Sequence, residues 1–184
     1  RRTLAPLVYQ ARDWAHGVLV GAGMASETTA AATGDVGVVR RDPMAMKPFA
    51  GYNFADYWAH WLSMAGRVKK LPGIFHVNWF RRDAKGRFLW PGYGENLRVL
   101  AWIIDRCKGK APALDTAIGA VPTRDALDFR GLDIDEATIA ELLAVDKTAW
   151  RQEADEIGSY LEGYGARLPA GLRDEVAKLK QRLA

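Results

Sequence analysis

The sequence predicts an α/β chain, of α+β character in this segment. Short strands and a hairpin alternate with amphipathic helices, and a helical carboxy-terminal tail follows. Three observations carry that expectation. Apolar runs rich in β-branched and aromatic residues stand at 6–10, 73–80 and 116–122, each too short for a helix and flanked by turn residues. Between Phe54 and Ala65 the apolar residues recur at helical spacing. After Pro122 the chain changes to amphipathic stretches behind capping residues.

Taken in order, PLVYQ (6–10) reads as a buried strand. DWAHGVLVGAGMASE (13–27) is apolar but carries Gly17, Gly21 and Gly23, so helix and strand both stay open there. TTAAATGDVGVV (28–39) has little to bury and reads as a mobile loop. Phe54, Tyr57, Trp58, Trp61, Leu62 and Ala65 fall at i, i+3, i+4, i+7, i+8 and i+11, which is one face of a helix. GIFHVNWF (73–80) is a strand, RDAKG turns the chain, and RFLW returns as a second strand, giving a hairpin. Leu97, Leu100, Ala101 and Ile104 mark a helix from near Glu95 to before Gly109, and TAIGAVP (116–122) is one more strand. In the tail, 123–184, Asp133 and Glu136 have capping-box spacing. Asp146 caps a helix carrying Trp150, Ile157, Leu161 and Tyr164. Pro169 introduces the last helix, with Leu172, Val176, Leu179 and Leu183 on one side.

Composition narrows the function classes. A hydrophobic fraction of 49% and a charged fraction of 26% over 184 residues are globular values. The net charge of +4 suits an anionic ligand such as a nucleotide and is too mild to demand a nucleic acid. One cysteine, Cys107, rules out an internal disulfide framework and suits a reducing, cytoplasmic setting. No apolar run approaches the ~18 residues of a spanning helix, so no membrane partner is expected. The start at Arg1-Arg2, without an initiator methionine, reads as a piece of a longer polypeptide. His16, His60 and His76 lack metal-ligand spacing and read as packed or surface residues. Cys107 has no basic or metal context that would make it reactive. Asp42 before Pro43 reads as a solvated turn.

One stretch stands out. HVNWFRRDAKGRFLWPGYGEN (76–96) crowds Trp79, Phe80, Phe88, Trp90 and Tyr93 among basic residues and glycines. Two readings are open. Facing strands bury Phe and Trp as ordinary core. Alternatively, spare aromatic faces stack a planar base, each contact being worth roughly 1–3 kcal/mol. Asn96, directly after Gly92-Tyr93-Gly94, would then supply the hydrogen-bonding edge that stacking lacks.

The segment FHVNWFRRDAKGRFLWPGYGEN resembles the guanine-binding segment of the GTP-dependent phosphoenolpyruvate carboxykinases. PLVYQARDWAHGVLVGAGMASETTAAA, RRDPMAMKPFAGYNFADYWAHWL, LPGIFHVNWFRR, GYGENLRVLAWIIDR, IGAVP and LPAGLRDEVAKLKQRL fit the same family in order and spacing. The resemblance implies that residues 1–184 are the carboxy-terminal part of that family's nucleotide-binding domain, with the guanine hairpin at 76–96. It implies that Phe80 and Tyr93 sandwich guanine, with Phe88 and Trp79 completing the pocket. Asn96 would read the base edge, assisted by Gly94 and Glu95. Family members usually carry Phe where this chain has Tyr93, and tyrosine keeps the ring face. Arg1 would reach the transferred phosphate, since a guanidinium offers a planar fork of donors.

Residues Thr28, Thr29, Ala30, Ala31, Ala32, Thr33, Gly34, Asp35, Val36, Gly37 and Val38 would form an Ω-loop lid that shields a reactive enolate from water. The implied reaction is oxaloacetate plus GTP giving phosphoenolpyruvate, GDP and carbon dioxide, with Mn2+ and Mg2+ held by residues outside this chain. A phosphate loop of the G-x-x-x-x-G-K-[ST] kind is absent from the sequence, so this chain alone is expected to be inactive. The remainder of the same polypeptide is the expected protein partner, the intact protein a monomer. The alternative, from another class, is a basic and aromatic module for single-stranded nucleic acid. It would need a continuous basic groove, whereas these aromatics gather around one asparagine.

Overall fold

The computed structural model describes residues 4–27 and 39–184. The expectations for Arg1 and for the lid at 28–38 lie outside the described residues. The chain forms two compact units, one of Asp13–Pro72 with Arg151–Ala184, the other of residues 4–12 with Gly73–Trp150.

The unit around residues 73–150 is built on a four-stranded antiparallel sheet. Its strands are β1 (Val8–Gln10), β4 (Phe75–Val77), β5 (Ala113–Thr116) and β6 (Gly119–Pro122), in the order β4-β1-β6-β5. Val8, Tyr9 and Gln10 pair with Val77, His76 and Phe75. Leu7 and Val8 are wholly buried, which explains why this central strand reads as a continuous apolar run. Two differences from the sequence reading have local causes. The strand expected at 116–122 is confined to β6 (Gly119–Pro122), because Ala117 and Ile118 make the turn from β5, which the sequence reading did not foresee. The first strand of the expected hairpin keeps only Phe75–Val77 and spends its ladder on β1. The hairpin survives as a narrow rung, with Arg82 bridging Phe88 and Leu89 N–H donating to Arg81 O at 2.9 Å.

Helix α3 (Asn96–Cys107), expected from the spacing of Leu97, Leu100, Ala101 and Ile104, packs on the core through other residues. Val99 and Trp102 are buried, while Leu97, Leu100 and Ile104 are exposed. Apolar residues surround this helix, and the indole and the β-branched side chain supply the core contacts. Helix α4 (Glu136–Leu143) is capped by Asp135, whose carboxylate accepts from Thr138 N–H at 2.8 Å. The expected Asp133 box fails because the helix starts two residues later, with Asp135 as its cap, and Glu136 accepts from Arg124 at 2.9 Å.

In the other unit, α1 (Trp14–Ala22) settles the open choice at 13–27 as helix. It is capped by Asp13 through His16 N–H at 2.8 Å and followed by β2 (Ala25–Glu27). β2 pairs with β3 (Val39–Arg41). The ladder joins Ala25 to Arg41 and Glu27 to Val39 on either side of residues 28–38. Asp42 is buried rather than a solvated turn, accepting from Ser26 Oγ at 2.8 Å and Lys47 N–H at 3.1 Å. Helix α2 (Phe54–Ser63), capped by Asn53, buries Phe54, Ala55 and Trp58. Helix α6 (Ala170–Leu183) buries Leu172, Leu179 and Leu183. Helix α5 (Lys147–Glu162) is shared between the units, its residues to Trp150 lying in the sheet-bearing one; there Asp146 caps it, accepting from Thr148 and Ala149 N–H at 2.9 and 3.1 Å. No described helix is long and apolar enough to cross a membrane.

Candidate base-binding site

The 76–96 stretch lies wholly within the sheet-bearing unit. Asn78, 6% exposed, ties its start to the sheet. Its Nδ2 donates to Ala5 O at 2.8 Å and its Oδ1 accepts from Phe80 N–H at 3.3 Å, which fixes the backbone that carries the Phe80 ring. Arg81, also buried, donates to Ala144 O at 3.0 Å. Burial lowers its pKa, and the carboxylates of Glu141 and Asp146 counter that effect. The turn that follows is an Asp-centred loop. Asp83 Oδ1 accepts from Lys85 and Arg87 N–H, both at 2.9 Å, and Gly86 takes the left-handed φ of +79° that closes it.

This scaffold presents Phe80 and Phe88 side by side. Their centroids are 6.1 Å apart at an interplanar angle of 62°, and the rings are 60% and 53% exposed. The Arg82 guanidinium stands 4.3 Å from the Phe88 centroid, a cation–π contact that holds the ring and brings positive charge beside it. Trp79 differs: it packs on the core and against Trp90, with ring centroids 6.2 Å apart. Tyr93 is 92% exposed, and no ring among the described residues stacks on it.

After Trp90, Pro91 and Gly92 (φ +129°) reverse the chain into a 3-10 turn over Tyr93–Glu95 that runs directly into α3. Asn96 opens that helix half-buried, and its Oδ1 accepts from Trp90 Nε1 at 2.8 Å. Glu95 is held by Arg98 at 2.6 Å. Gly94 and Glu95 border an open groove of about 470 Å3 that also reaches Arg98, Asp105 and Asp128. The structure therefore brings Phe80 and Phe88 together, and sets Gly94, Glu95 and Asn96 on one turn. Trp79, half-buried, packs against Trp90 and the core cluster. Sequence reasoning missed Asn78 and Trp90 as supports, because their partners are set by tertiary contacts.

Among the described residues no group of three or more His, Cys, Asp or Glu could hold a metal ion. Cys107 is exposed. His76 stacks on Tyr9 at 5.1 Å and 19°, and its Nδ1 is buried with no hydrogen-bond partner. Burial holds its pKa down at about 4.

The 76–96 segment thus carries the exposed rings of Phe80 and Phe88 and ends on the half-buried Asn96 amide that opens α3. The chain belongs to the GTP-dependent phosphoenolpyruvate carboxykinase family. The family model described as "Phosphoenolpyruvate carboxykinase C-terminal P-loop domain" matches residues 1–182. The chain is 52% identical to a protein of Renibacterium salmoninarum over 185 residues. It is 50% identical to one of Arthrobacter sp. (strain FB24) over 186 residues, and 51% identical to one of Treponema pallidum (strain Nichols) over 187. Each is named "Phosphoenolpyruvate carboxykinase [GTP]", and each match covers 100% of this chain and 30% of the relative. The chain thus spans under a third of the length of these relatives.

Proposed function

We propose that this chain supplies the guanine-binding wall of a GTP-dependent phosphoenolpyruvate carboxykinase. The observation that carries the reading is the family match over residues 1–182, with the exposed Phe80–Phe88 pair and the Asn96 amide in its aromatic segment. Phe80 and Tyr93 would take opposite faces of the base, with Phe88 closing its side. Asn96, Gly94 and Glu95 would meet its edge. In the reaction, oxaloacetate loses carbon dioxide by cleavage of a C–C bond, whose electron pair forms an enolate. The enolate oxygen then takes the γ-phosphoryl group of GTP as the bond to GDP breaks. This chain's part is to hold the nucleotide so that its phosphates lie in line with the enolate, which is positioning catalysis.

Arg1 would contact the transferred phosphate, and residues 28–38 would close as the lid that keeps water from the enolate. Metal-assisted neutralisation of the phosphates would come from the rest of the polypeptide. The test is displacement of a fluorescent guanine nucleotide from the full-length polypeptide. Displacement by GDP, and by neither ADP nor an oligonucleotide, is the expected result. Displacement by an oligonucleotide at comparable concentration would favour the single-stranded nucleic-acid module instead.

A further inference from the structure

We propose that Trp90 is a positioning residue for base selection: its indole N–H fixes which end of the Asn96 amide meets the nucleobase. The inference rests on the guanine-pocket reading and adds a residue to it. Trp90 is 3% exposed and packs in the core cluster with Leu89, Val99 and Trp102, so its ring has no freedom to turn. Its Nε1 lies 2.8 Å from Asn96 Oδ1. An amide's oxygen and nitrogen are easily exchanged in assignment, but an indole nitrogen only donates. The group facing it must therefore be the oxygen. Flipping the amide would set NH2 against N–H and leave a buried donor without an acceptor.

The amide is planar, so with Oδ1 turned to Trp90 the NH2 is the other branch of a half-buried side chain. Presented to a bound base, that NH2 complements a purine carrying an acceptor at C6, as guanine and hypoxanthine do. It opposes the amino donor that adenine carries there. The chain between the two residues serves this contact. Pro91-Gly92 reverses direction, and Glu95 N–H donates to Gly92 O at 3.1 Å, which brings residue 96 back over residue 90.

The experiment measures kcat/KM for GTP, ITP and ATP in the full-length enzyme. Trp90 is replaced by Phe and, separately, by β-(3-benzothienyl)alanine, which keeps the bicyclic ring and loses the N–H. Asn96→Ala and Asn96→Asp are measured alongside. The benzothienyl variant should lower the GTP:ATP and ITP:ATP selectivity roughly ten-fold. Adding Asn96→Ala to it should cost little further selectivity, since both changes remove one interaction. Asn96→Asp, which keeps an acceptor for Trp90 and loses the outward donor, should lose GTP and ITP as Asn96→Ala does.

Selectivity ratios that stay fixed in the Trp90 variants, with all three nucleotides falling alike, would overturn the proposal and leave Trp90 a packing residue. Full GTP activity in Asn96→Asp would overturn it even if the Trp90 variants fail to fold. Full GTP activity in Asn96→Ala would instead remove the guanine-pocket reading itself.

Discussion

Asn96 and His76 are polar side chains of the same unit with opposite histories of solvation. Asn96 stays half-exposed with its oxygen engaged, so its remaining hydrogen-bonding capacity is available to a ligand. Asn96→Ala in the full-length enzyme should weaken GTP and ITP about equally, by on the order of 1–3 kcal/mol, because both present the same O6 acceptor. Dissociation constants by titration check this; a loss confined to GTP would place Asn96 on the 2-amino group instead. His76 lies against Tyr9 with its Nδ1 sealed off, and burial lowers its pKa from 6.5 to about 4. The unfolded chain therefore binds the proton first. The neutral ring's contribution is fully present above pH 6.5 and is lost as pH falls toward 4. The loss when complete amounts to roughly 3 kcal/mol. An NMR titration of the His76 imidazole should show a midpoint near 4, and replacing it by Phe should flatten stability across that window.

Elements of this fold depend on a few backbone positions. Gly119 opens β6 at φ +130°, where a Cβ would collide with the Gln10 carbonyl oxygen of the neighbouring strand. Gly119→Ala should therefore destabilise the β1–β6 pairing by ~1–3 kcal/mol, read as a lower denaturant midpoint. Gly131 also has positive φ, +76°, but open space around it, so Gly131→Ala serves as the control for conformation without collision. Helices with one-sided apolar spacing were legible in the sequence, as α2 shows, because local periodicity alone decides them. Asp146 and Pro169 likewise marked helix starts. The three-residue strands β2 and β3 were not, since their pairing partner lies across residues 28–38. Which face of α3 is buried was not legible for a related reason: Leu97 and Val99 are equally apolar, and only the packed core decides between them. At the site, the aromatic crowding of 76–96 announced itself. The supports Asn78 and Trp90 did not, because a hydrogen bond to Ala5 or Asn96 exists only after folding.

At the scale of the whole molecule, phosphoryl transfer needs two things at once: a nucleotide held in place and negative charge neutralised along the line of transfer. On the reading proposed here for residues 76–96, Phe80, Phe88, Tyr93 and Asn96 would supply the first. For the second, the sequence has no G-x-x-x-x-G-K-[ST] loop to cradle phosphates. Among the described residues no acidic or histidine cluster suits a divalent cation. The chain spans 30% of the length of its relatives, and the proposed reading puts those parts in the remaining length. The chain by itself should consequently fail to convert oxaloacetate and GTP to phosphoenolpyruvate at any Mn2+ or Mg2+ concentration. Adding the rest of the polypeptide in the same chain should restore turnover. The assay is phosphoenolpyruvate release coupled to a downstream enzyme, with full-length protein as the positive control. Metal-dependent turnover by residues 1–184 alone, above a heat-inactivated blank, would mean that this segment carries its own phosphate and cation sites and would overturn the division of labour argued for it.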